Sequence, residues 1–166
     1  MSALIISGPP ASGKNTVAEP IAQSHKRASV IDTDVLRNTV VEPYRDPWDG
    51  EEGRGQQLLA ARNACAMARN FETENYSTII LDVIDNELAA SYRQFLDGID
   101  VTIILLLPTK DEIDRRLLTR TDYLTRGDTH LLYEQQTTFT AYDHKLDNTA
   151  LAASDAANWI LERWNT

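Results

Sequence analysis

The chain holds a single cysteine, Cys65, among 166 residues, so an intrachain disulfide is ruled out. Histidine is equally scarce. His25, His130 and His144 show no spacing that suits a metal site or a nucleophile triad, and none is assigned a role. No apolar run approaches the ~20 residues of a membrane-spanning helix. The opening Met1-Ser-Ala-Leu-Ile-Ile-Ser is too short and too uncharged for a signal peptide. It runs straight into a glycine turn and so belongs to the fold. A cytoplasmic location away from membranes is the expectation. Positive charge is also in short supply: 16 Lys and Arg against 25 Asp and Glu leave a net charge of −9. That opposes non-specific attraction to polyanions and disfavours nucleic acid as a partner, except through a local basic cleft. The chain does not lack core material. With 42 % hydrophobic and 25 % charged residues it reads as one folded domain spanning residues 1–166.

Apolar runs of strand length alternate with helical stretches. Ala3 to Ser7, Ala28 to Ile31, Ser77 to Leu81 and Val101 to Leu107 read as buried parallel strands, with a short fifth near Leu146. Helices are expected over 13–25, with Pro20 inside, and over 34–41, 56–71, 87–96, 110–120, 131–142 and 150–164. Residues 42–55 carry two prolines, three glycines and an acidic run, and read as a loop. The alternation implies an α/β fold: three layers, about five parallel strands, helices on both faces. Ligands in such a sheet sit at the carboxyl ends of the strands. Gly8, Asp32 and Asp82 all fall at such ends.

Gly8-Pro9-Pro10-Ala11-Ser12-Gly13-Lys14 fits G-x-x-x-x-G-K between a strand and a helix, the context that gives this pattern meaning. Glycines let backbone N–H groups converge on phosphate oxygens, and the helix N-terminus adds partial positive charge. The expected nucleotide contacts are Gly8, Ala11, Ser12, Gly13, Lys14, Asn15 and Thr16, with Lys14 supplying charge to the β- and γ-phosphates of ATP. Asn15 stands where Ser or Thr usually ligates Mg²⁺. An Asn carbonyl can still ligate, or the ion can be held through water and carboxylates.

The loop Gly8 to Thr16 resembles that of adenylate-kinase-like enzymes. Asp32-Thr33-Asp34-Val35-Leu36-Arg37 extends the likeness to small P-loop kinases: polynucleotide 5′-hydroxyl kinases, gluconate and shikimate kinases, zeta-toxin-like kinases and chloramphenicol phosphotransferases. The resemblance runs as spaced motifs from Leu4 to about Tyr142. It implies that Asp34 accepts the proton of an acceptor hydroxyl, that Arg37 binds a polar or anionic part of the acceptor, and that Asp32 lies near Mg²⁺. Asp82 looks like the strand-end carboxylate that anchors Mg²⁺ or its waters. The helix after the fourth strand corresponds to a lid of about residues 110–130, whose Arg116 and Arg120 would reach over the phosphates. The same helix also offers the i,i+4 pairs Asp111–Arg115 and Glu112–Arg116. An acceptor-binding insertion is expected over about 42–62, with Tyr44, Arg45, Trp48, Arg54 and Gln57 as contacts. Its acids, Asp46, Asp49, Glu51 and Glu52, would suit a cationic acceptor. Asp147-Asn148-Thr149 would lie near the nucleobase.

The expectation is therefore an ATP- and Mg²⁺-dependent phosphotransferase acting on a hydroxyl of a small molecule. Alternatives are a polynucleotide 5′-hydroxyl kinase and a nucleoside monophosphate kinase. A GTPase-type switch is rejected. Thr109 and Glu112 depart from the guanine motif, and Asp82-Val83-Ile84-Asp85 lacks the glycine such a switch needs.

Overall fold

The structure, a computed structural model, describes residues 2–119 and 125–164. Five strands form one parallel sheet: β1 (Ser2–Ser7), β2 (Ala28–Asp32), β3 (Ser77–Asp82), β4 (Asp100–Leu106) and β5 (His144–Leu146), in the spatial order β2-β3-β1-β4-β5. Seven helices lie between and after them among the described residues: α1 (Lys14–Gln23), α2 (Thr33–Arg37), α3 (Gly50–Thr73), α4 (Asn86–Phe95), α5 (Lys110–Leu117), α6 (Arg126–Thr138) and α7 (Ala153–Leu161). Side chains alternate across each strand, and each face builds its own core. Ile5, Ile80 and Ile103 pack beneath Ala61, Ala64 and Ala68 of α3 and Leu88 and Tyr92 of α4. Leu4, Ile6, Ile79 and Ile104 pack beneath Val17 and Ile21 of α1 and Ile160 of α7, with Trp164 closing the edge. Each such buried side chain stabilises the fold by about 1.5–3 kcal/mol relative to exposure. No described helix is long and apolar enough to cross a membrane.

The register places the chemistry. Ser7 pairs with Asp82, and Asp32 with Leu81. The ends of β1, β2 and β3 thus form one ledge, with the glycine loop rising from β1, the central strand.

Several boundaries differ from the sequence reading, among them the helices expected over 34–41 and 150–164, which span Thr33–Arg37 and Ala153–Leu161. The helix expected from residue 56 starts at Gly50. Glu51 and Glu52 sit in its first turn, where the helix dipole favours acids, and Gly53 is there for space. A Cβ on Gly53 would lie 1.9 Å from the carbonyl oxygen of Asp46. The helix expected over 131–142 starts five residues earlier and spans Arg126–Thr138. A capping box of Thr125 and Asp128 starts it, each side chain meeting the other residue's backbone N–H. The helix after β4 ends at Leu117 rather than 120.

Candidate active site

The glycine loop is held in shape by steric need and by its own lysine. A Cβ on Gly8 would lie 2.4 Å from the carbonyl oxygen of Leu106. Gly13 has φ +97, a conformation in which a side chain is strained. The Lys14 ammonium folds across the loop and donates to the carbonyls of Gly8 at 2.7 Å and Pro9 at 3.2 Å. Two buried oxygens beside the loop, Ser12 Oγ and Asn148 Oδ1, have no hydrogen-bond partner among the described residues. Most buried polar atoms are hydrogen-bonded, and these two exceptions adjoin the glycine loop.

Arg116 comes from α5 to the same loop. Its Nη1 donates to the carbonyl of Ser12 at 2.9 Å, and its Nη2 to that of Asn148 at 3.0 Å. The Asn148 amide donates to the Ser12 carbonyl as well, at 2.9 Å. Arg116 thus ties α5, the loop and the segment after β5 together. Gly13, Thr16, Arg116, Asn148 and Leu151 line a cavity of about 310 Å³ on this side. Glu112 receives both Arg115 and Arg116, so the partner of Arg115 is Glu112 rather than Asp111. The two guanidinium groups lower the Glu112 carboxyl to about 2. Arg120 lies outside the described residues.

On the other side of the loop stand the carboxylates. Asp32 caps α2 by accepting the amide of Asp34 at 3.0 Å, and its second oxygen accepts the Asn15 amide at 3.0 Å. The Asn15 nitrogen is thereby engaged, leaving its carbonyl oxygen as the only side-chain atom suited to a cation. Asp82 is 7 % exposed. Tyr92 Oη donates to one of its oxygens at 2.7 Å and the Val83 amide to the other at 2.7 Å. Burial pushes the Asp82 carboxyl above the ordinary aspartate range, while these two bonds pull it back. A nearby cation would stabilise the ionised form. No cluster of three or more acidic, histidine or cysteine side chains able to hold a metal by itself occurs among the described residues. Asn15, Asp32 and Asp82 offer the oxygen donor types that Mg²⁺ takes, one or two carboxylates beside waters and phosphate oxygens.

Asp34 and Asp82 line a second cavity, of about 350 Å³, which Pro10 of the loop borders. Arg37, Trp48, Arg54 and Gln57 line it too. The Asp34 carboxylate lies 3.5 Å from the Arg37 guanidinium. Tyr44 does not line this cavity. It stands beside Arg37, accepting from its Nη2 at 3.3 Å and donating to Asp46 at 3.3 Å. Arg45 points away, its guanidinium on the Tyr44 carbonyl. Arg54 meets Gln57, Asp85 and Glu87, and Gln57 also donates to the Val83 carbonyl.

Two side chains of this site escaped the sequence reading. Tyr92 follows Leu88 by four residues on the buried face of α4, so its spacing reads as core; only the strand register reveals the Asp82 contact. Gln136 accepts from Ser7 Oγ at 2.9 Å and donates to the Ile84 carbonyl at 2.7 Å, joining α6 to the floor of the site. A lone buried glutamine carries no sequence signature.

The family model described as an AAA domain matches residues 4–142. Among curated protein sequences, none is significantly similar to the chain. Solved structures share the fold. The APS kinase of Mycobacterium tuberculosis, solved with AMPPNP and APS, has a TM-score of 0.75 at 16 % identity, covering 97 % of this chain and 95 % of that one. A gluconokinase from Sinorhizobium meliloti 1021 gives 0.67 at 17 %, covering 97 % and 90 %. A shikimate kinase from Acinetobacter baumannii, solved with shikimate, gives 0.62 at 17 %, covering 98 % and 92 %. The match over residues 4–142, a span that includes the glycine loop, makes this chain a member of the P-loop AAA-domain family.

Proposed function

We propose that the chain is an ATP-dependent phosphotransferase that moves the γ-phosphoryl group of ATP to a hydroxyl of a small molecule. The observation that carries this reading is the shared cavity: Pro10 of the phosphate loop and the carboxylates of Asp34 and Asp82 line one space. A molecule filling it lies between a base and the phosphate-binding loop. The structural neighbours named for gluconate, shikimate and APS as substrates or ligands support a small acceptor.

In this reading the loop backbone and Lys14 hold the phosphates, the Lys14 ammonium exchanging the carbonyls of Gly8 and Pro9 for phosphate oxygens. The nucleoside lies in the 310 Å³ cavity against Arg116, which fixes that wall. Mg²⁺, when bound near Asn15, Asp32 and Asp82, supplies charge neutralisation on the phosphates. Asp34 orients the acceptor hydroxyl and takes its proton late in a loose transition state. Arg37, at 3.5 Å from Asp34, holds that carboxylate in position. Arg120 would close over the phosphates from the lid.

ADP release measured across sugars, cyclitols, nucleosides, antibiotics and 5′-hydroxyl oligonucleotides tests the reading. Acceptor-dependent ADP release with one small-molecule class is expected. Release that depends only on oligonucleotide, with affinity falling steeply in salt, would shift the activity to polynucleotide ends. Transfer only to nucleoside monophosphates would remove the alcohol acceptor.

A further inference from the structure

The acceptor cavity carries its charge unevenly. Two guanidinium groups line it, Arg37 and Arg54, against four carboxylates, Asp34, Asp82, Asp85 and Glu87. The cations are drawn into the wall. The Arg37 side chain is 8 % exposed beside Asp34. That of Arg54 is 32 % exposed and lies 3.0 Å from Asp85 and 3.1 Å from Glu87. Three of the four carboxylates are open: 65 % exposed for Asp34, 54 % for Asp85 and 84 % for Glu87, against 7 % for the buried Asp82. Asp85 uses one oxygen, Oδ1, for both Arg54 and the Leu88 amide, and Glu87 uses Oε2 for Arg54. Asp85 Oδ2 and Glu87 Oε1 accept no hydrogen bond among the described residues.

An acid-bearing acceptor entering this space meets open carboxylates and the triphosphate of ATP, with both wall arginines already paired. Like-charge juxtaposition of that kind is strongly unfavourable. An ammonium group instead meets two carboxylate oxygens with vacant lone pairs, and such charge-assisted bonds are the stronger kind. Trp48, 37 % exposed, and Pro47 add an apolar surface to the same cavity, suited to the face of a ring.

Resting on the phosphotransfer reading above, we propose that the acceptor is a ring-bearing amino alcohol without an acid group, its ammonium received by Asp85 and Glu87. The acceptor oxygen forms a bond to Pγ, the bond from Pγ to the β–γ bridging oxygen breaks, ADP leaves, and the hydroxyl proton passes to Asp34. The amine keeps its proton throughout and serves only recognition.

The test is kcat/KM from ADP release for matched sugars and cyclitols that differ in one substituent: amine, hydroxyl or carboxylate. The amine member should exceed the acid member by about tenfold or more, and added salt should shrink the gap. Glu87→Gln, at an exposed position, and Asp85→Asn, whose amide oxygen can still cap α4, should each lower the amine-to-acid ratio by about three- to tenfold. An acid member used as well as the amine, or a ratio untouched by both substitutions, overturns the proposal. Turnover of no amine-bearing member overturns it too. AMPPNP binding and its loss in Lys14→Ala, measured separately, then decide whether the phosphotransfer reading falls with it.

Discussion

In the proposed reaction, Asp34 is the residue on which an alcohol acceptor depends. An alcohol is a weak nucleophile until its proton has somewhere to go, and Asp34 is an open carboxylate of the cavity that the loop borders. Asp34→Asn keeps shape and polarity but removes basicity. Turnover should fall by about 10²–10⁴-fold, with AMPPNP affinity little changed in a calorimetric titration. Asp32→Asn should act differently, because Asp32 holds Asn15 rather than the acceptor: the Mg²⁺ concentration for half-maximal rate should rise. Near-full transfer by Asp34→Asn would remove it as the base and favour an acceptor that is already an anion. Residues of this kind were legible from sequence where they belong to a spaced motif, as Lys14, Asp32 and Asp34 do. Tyr92 and Gln136 were not. Their roles arise from β-strand register and helix docking, which place them against Asp82 and Ser7 from far along the chain.

At the level of elements, the strands were legible because buried parallel strands are continuous apolar runs. The helix starts were harder. The first turns of α3 and α6 contain Gly50, Gly53 and Gly127, and glycine ordinarily argues against helix. In α3 the glycine answers a tertiary demand, the close approach of the Asp46 carbonyl to Gly53. That contact clamps the segment bearing Trp48 onto the helix that bears Arg54 and Gln57. Gly53→Ala should therefore destabilise the fold by up to about 2 kcal/mol, because overpacking against backbone costs about 1–3 kcal/mol and the gain in helix propensity returns only about 1. The midpoint of urea unfolding reads the loss, and a raised acceptor KM should accompany it. A variant as stable as the parent would mean the clamp yields freely. At α6 the signal was present and local: Thr125 and Asp128 have the spacing of a capping box.

Across the whole molecule, the sheet order β2-β3-β1-β4-β5 puts the loop-bearing strand at the centre. One cavity lies on the side of α5 and α7, the other on the side of α2 and α3. The loop lies between them, as a transfer between two ligands requires. The net charge of −9 opposes non-specific attraction to a polyanion, and in the proposed acceptor cavity both arginines are paired with carboxylates. The central claim is transfer of a phosphoryl group through this loop. The most direct measurement follows the label of γ-labelled ATP in the presence of the acceptor, for the parent protein and for Lys14→Ala verified as folded by circular dichroism. The account predicts that label appears covalently on the acceptor in equal amount with ADP, and that Lys14→Ala abolishes this. Label released only as inorganic phosphate, or transfer at an unchanged rate without Lys14, would contradict it.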